Sequence, residues 1–162
     1  MMKKSFIAVL LSVVFITSCS TNSVIDVVNA DLLDGEFAVA SVTVNNSTGQ
    51  AFDIDIESML TKGLLDELGS QSILDETGGK FNLDVSIVQY EKGNAFARWM
   101  VPGMGATVLS VEASLKDSSG SIVAQSQATK SIGAGGGYTI GAWSTVFKDI
   151  SKTLVADLVS IK

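Results

Sequence analysis

The chain has 162 residues, 46% of them hydrophobic and only 17% charged, and a formal net charge of −6. One compact domain with a modest core fits that length. The acidic balance excludes a nucleic-acid binder built on clustered Lys and Arg, and the absence of histidine removes the side chain most used for acid–base catalysis near neutral pH and for metal ligation.

The first segment is a targeting signal. "MMKK" is a basic leader, and "SFIAVLLSVVFI" is an apolar run shorter than the roughly 20 residues a spanning helix needs. Ile16-Thr17-Ser18-Cys19 follows and resembles a bacterial lipobox: a branched aliphatic, two small residues, then the cysteine that receives lipid. The resemblance implies cleavage before Cys19, diacylglycerol on its sulfur and a fatty acyl chain such as palmitate on the new N-terminus. Two or three chains, each buried methylene worth about 0.8 kcal/mol, make such an anchor essentially permanent. Ser20 rather than Asp after the cysteine implies sorting to the outer membrane of a Gram-negative cell, with the domain facing the periplasm. Cys19 is the only cysteine, so an intramolecular disulfide is excluded. Loss of residues 1–18 takes Lys3 and Lys4 with it, leaving nine basic against seventeen acidic residues and a mature charge of −8. Membrane attachment must therefore be hydrophobic.

Residues 19–35 are expected to be the lipidated N-terminus and a tether, with "VIDVVNADLLDG" either part of it or a short first element. A single domain is expected over 36–162. "EFAVASVTVNN" (36–46), rich in Val on both faces, suits a central strand. From Phe52 to Leu68 apolar residues recur at helical spacing, and Gly63 on that stripe suits close packing against a sheet. Phe81, Leu83, Val85 and Ile87 then alternate with polar residues, as do Leu109, Val111, Ala113 and Leu115, and "KDSSGS" turns the latter strand into a hairpin with 122–128. The last helix carries Trp143, Phe147, Ile150, Leu154, Leu158 and Ile161. The order β-α-β-β-β-α predicts an α+β fold: a mainly antiparallel sheet of about four strands with two helices on one face.

Two stretches stand outside this pattern. "GNAFARWMVPGMGAT" (93–107) holds the only arginine and the only proline, and "GAGGGYTIGAW" (133–143) is rich in glycine. Gly93, Arg98, Gly103, Gly105 and the strand from Ala106, followed by a glycine-rich turn and a C-terminal helix, resemble the lipoprotein family of domain of unknown function 4410 over roughly residues 36–160. That family transfers no activity. The order of elements is also similar to small α+β domains of envelope-assembly lipoproteins, such as the curli secretion pore. Arg98, with Trp99 beside it, is either a partner contact or a structural arginine pairing within its own loop, and the structural role is the expected one. The run from Trp99 to Val111 is too short to span a bilayer and is broken by Pro102, Gly103 and Gly105. The glycines before the last helix match neither phosphate-binding spacing and read as a connection.

No catalytic, cofactor or metal site is expected. Without histidine, only a carboxylate pair or a Ser-Lys dyad is left for catalysis, and none stands in a recognisable signature. The sequence therefore predicts a non-enzymatic envelope lipoprotein that holds the membrane through Cys19 and binds a protein or surface polymer. The alternatives are a subunit of an envelope assembly or secretion complex, and a carboxylate-based hydrolase of cell-wall glycans or peptides.

Overall fold

The computed structural model describes residues 21–33, 36–101, 104–133 and 141–162. Its elements are β1 (Thr21–Val27), a short 3-10 turn (Ala30–Leu33), β2 (Val39–Asn46), α1 (Ile56–Ser70), β3 (Phe81–Glu91), α2 (Ala95–Met100), β4 (Thr107–Asp117), β5 (Ile122–Ile132) and α3 (Ala142–Ser160). The strands form a 5-stranded sheet in the order β1-β5-β4-β3-β2. Only β2 and β3 pair in parallel, as a strand–helix–strand crossover through α1 requires; the other neighbours are antiparallel. The α+β class and the two long helices over one sheet face agree with the sequence. The added strand is β1, from the segment read as tether or a short first element.

Alternation places the core. Phe81, Leu83, Val85 and Ile87 of β3 and Leu109, Val111, Ala113 and Leu115 of β4 are all buried under the helices. Ile56, Leu60, Leu64 and Leu68, spaced four apart, are the buried face of α1, and Val146, Phe147, Ile150, Leu154, Val155 and Leu158 are that of α3. Helix α1 starts at Ile56 rather than Phe52 because the Asp55 carboxylate accepts a hydrogen bond from Ser58 N at 2.9 Å and caps it.

Two expectations are corrected. The 36–46 segment is an edge strand, not a central one: a register shift between Val39 and Ser41 turns Val39, Val42 and Val44 all toward the core and leaves Ser41, Thr43 and Asn45 exposed. Gly63 packs against α3, not against the sheet. A Cβ there would stand 2.5 Å from Ser151 Oγ.

Strand β1 is held from two sides. It pairs with β5 from Thr21↔Lys130 to Val27↔Ala124. On its helix side the Asp157 carboxylate accepts hydrogen bonds from Ser23 Oγ (3.2 Å) and Ser126 Oγ (2.9 Å), joining β1, β5 and α3 through one side chain. Farther along β5, Lys130 is buried under α3, 6% exposed, and meets Asp149 at 3.0 Å.

Candidate functional site

The strands bring three unusual features to one end of the sheet. Thr21, Lys130, Leu109 and Tyr90 lie in register across β1, β5, β4 and β3. Beyond that row the chain start at Thr21 leads toward Cys19, β3 leads into the 92–106 connection, and β5 leads into the glycine-rich stretch. Cys19 and residues 134–140 lie outside the described residues.

The neck of the 92–106 connection is built to stand up from the sheet. A bulge between Ile87 and Gln89 turns out Val88 and swings Tyr90 inward. Tyr90 then stacks between Phe52 (5.1 Å, edge-on) and Phe147 (5.4 Å). Its hydroxyl is buried with no hydrogen-bond partner among the described residues. Burial, with a smaller push from Asp53, raises that phenol to about 12. Lys92 pairs with Asp53 at 2.6 Å and lies 5.7 Å from the Trp143 ring centre, bracing the neck against α3. The hydrogen bond from Lys92 holds the Asp53 carboxyl below its usual range.

Above Lys92 the two arms stay bonded. Thr107 Oγ1 donates to Lys92 O at 2.8 Å, and Asn94 N donates to Gly105 O at 3.0 Å. Gly93 has φ +69°, and a Cβ on it would lie 2.6 Å from the carbonyl oxygens of both Gly105 and Ala106, so only glycine fits this crossing. Asn94 Oδ1 then accepts from Phe96 N (2.9 Å) and Ala97 N (3.1 Å), capping α2. The helix that this cap opens is only six residues long. Phe96 is 64% exposed, Met100 55%, Val101 44% and Met104 56%. Arg98 and Trp99, the residues singled out in the sequence, belong to α2, but their side chains lie outside the described residues.

The sheet face away from the helices is polar. One row across it runs Thr43, Asp84, Ser114, Gln125 and Asp26, and the next Asn45, Ser86, Glu112, Gln127 and Val24. Lys116 pairs with Asp84 at 2.6 Å there, and Ser110 links Gln89 to Thr129 through hydroxyl bonds. Alternation made this face legible in β3, β4 and β5. The buried pair Lys130–Asp149 and the Asp157 clamp were missed; their signal was polar residues at the inward positions 126 and 130 of β5, opposite carboxylates on the apolar helix. Among the described residues no cluster of three His, Cys, Asp or Glu could hold a metal ion, and no helix is long and apolar enough to cross a membrane.

The fold has solved counterparts. The PelC dodecamer of Paraburkholderia phytofirmans is similar with TM-score 0.57 at 16% identity, over 85% of this chain and 97% of that one. A dodecamer of a PelC point variant from the same organism, in another crystal form, gives 0.52 at 15% identity over 83% and 97%. A DUF330 protein of Xanthomonas campestris gives 0.57 at 12% identity over 77% and 85%. At such identities the likeness is one of fold. No protein of curated function matches the sequence. The sequence profile described as "Domain of unknown function (DUF4410)" matches residues 40–136, from the second residue of β2 through β5 into the glycine-rich stretch. With more than half of its length matched, and with the fold the resemblance implied, the chain belongs to the DUF4410 family.

Proposed function

We propose that the chain is a lipid-anchored envelope protein whose domain is a non-enzymatic binding or accessory module, held at the periplasmic face of the outer membrane by Cys19. The observation that carries this reading is the place of β1. It enters the sheet at Thr21, two residues after the lipobox cysteine, so an anchor on Cys19 is joined directly to the fold. The polar sheet face, with its rows of Ser, Thr, Asn and Gln, offers hydrogen-bonding groups to a protein or a surface polymer. The lack of histidine and the placing of the sole cysteine in the lipobox support a role without catalysis. Fractionation tests the anchor, comparing cells that express the wild type with cells that express Cys19→Ser behind a cleavable secretory signal in place of residues 1–18. The wild type goes with membranes and the variant with the soluble periplasm, both folded; a variant that stays on membranes once its signal is removed contradicts the reading.

A second reading is favoured by the fold likeness to a dodecamer: the domain is a subunit of an envelope assembly complex. Mass measurement in mild detergent separates the two. A large symmetric oligomer supports the assembly subunit, and a monomer supports the stand-alone module.

A further inference from the structure

We propose that the connection between β3 and β4 is a second membrane contact, in which Phe96, Met100, Val101 and Met104 enter the bilayer interface beside the lipid on Cys19. The proposal rests on the Cys19 anchor argued above and adds an orientation to it. Its basis is the sheet register. Thr21 stands level with Lys130, Leu109 and Tyr90, and the last rung beyond that row is Thr107↔Ile132. Cys19 is two residues before Thr21, and two extended residues reach at most about 7 Å. The lipidated cysteine therefore comes no higher than the Thr107–Ile132 rung, while residues 93–105 begin above it. A bilayer that receives the acyl chains at Cys19 meets this connection first. β1 cannot swing away to lengthen the leash without breaking its pairing with β5 and the Ser23–Asp157 bond.

The chemistry agrees with the geometry. Residues 93–105 carry none of the seventeen acidic residues, and their single charge is the positive Arg98. Four exposed large apolar side chains within nine residues are a concentration of the kind that marks an interaction site, and so short a segment suits dipping into the headgroup and acyl boundary rather than spanning it.

The test uses the full-length, lipidated protein in phosphatidylethanolamine–phosphatidylglycerol vesicles. Lipidation leaves no free thiol, so Met100→Cys introduces one labelling site, and Ser119→Cys in the β4–β5 turn gives a reference at the far end. Each variant carries an environment-sensitive fluorophore, and bromine-labelled lipids act as quenchers. The expected result is a blue-shifted emission and strong quenching at position 100, with neither at 119. Emission at 100 as solvent-like as at 119, on protein that is lipidated, overturns this proposal and leaves the anchor standing. A thiol reagent that labels Cys19 in the wild-type protein overturns the anchor and the proposal together. Quenching at 100 by a label on a second copy, but not by lipid, also overturns it and assigns the patch to contact between copies.

Discussion

Gly63→Ala measures how tightly the two long helices are pressed together. On a solvent-facing helix position the change would stabilise by about 1 kcal/mol, because alanine restricts the unfolded backbone and suits the helix. Here the new Cβ meets Ser151 Oγ at 2.5 Å, with Ser151 Cβ at 3.4 Å and Phe147 O at 3.7 Å behind it. Ser151 is buried, and its hydroxyl donates to Phe147 O at 2.9 Å, so it must abandon that bond or push α1 and α3 apart. Overpacking of this kind costs about 1–3 kcal/mol, which outweighs the propensity gain and predicts a net loss of about 1 kcal/mol. Ser151→Ala removes the one atom that clashes, leaving an ordinary 3.4 Å contact, and should be nearly neutral alone because a serine bonded to its own helix contributes little. Gly63→Ala in the Ser151→Ala background should therefore stabilise by about 1 kcal/mol. Urea unfolding of the four proteins of the cycle gives the coupling directly. A stabilising Gly63→Ala in the wild-type background, or a loss that Ser151→Ala fails to rescue, refutes the close approach.

Asp149→Ala should cost about 3 kcal/mol because it leaves the buried Lys130 ammonium unpaired, and Lys130→Met should cost less, since Asp149 remains partly in water; equal losses by urea unfolding would contradict that difference. Asp157→Ala should release β1, read as faster hydrogen exchange at residues 21–27 with β3 and β4 unchanged. Tyr90 is protonated in the folded state up to about 12 against an ordinary value of 10.0, so stability should be constant below pH 10 from this group and fall between pH 10 and 12, as only the unfolded chain ionises. Tyr90→Phe should remove that alkaline loss without cost at neutral pH, because the hydroxyl it deletes has no described partner; an unchanged alkaline limb by thermal melting would contradict it. Gly93→Ala should destabilise the loop neck, seen as increased protease cutting within 93–105, since the new Cβ would press on two carbonyl oxygens at φ +69°.

Patterns with a short period were readable from the sequence. The alternation in β3 and β4 and the four-residue spacing in α1 and α3 fixed which faces turn inward, because each depends on neighbours only a few residues away. What depended on distant partners was not readable. Thr21–Val27 gives a weak strand signal because its inward positions mix the polar Thr21 and Ser23 with Ile25 and Val27, and its strand character comes from pairing with β5 and from the Asp157 clamp more than a hundred residues on. The edge position of β2 follows from the strand order, and its inward face from a register irregularity between Val39 and Ser41; no local propensity announces either. Gly63 read correctly as a point of close approach, but spacing alone could not say whether sheet or helix approaches it. At the candidate site, Gly93 and Gly105 stood out in the sequence only as part of the family's pattern, and the crossing that requires Gly93 emerges from the structure. The exposure of Phe96, Met100, Val101 and Met104 did not show, because an apolar run reads the same whether it is covered or bare.

The central claim is that lipid on Cys19 joins this fold directly to the envelope membrane, and the intact mass of the protein extracted in detergent tests it most directly. The account predicts a chain that begins at Cys19 and carries diacylglycerol on sulfur with an acyl group on its N-terminus, and a Cys19→Ser protein with neither. A chain of unmodified mass, whether it retains residues 1–18 or begins elsewhere, would contradict it.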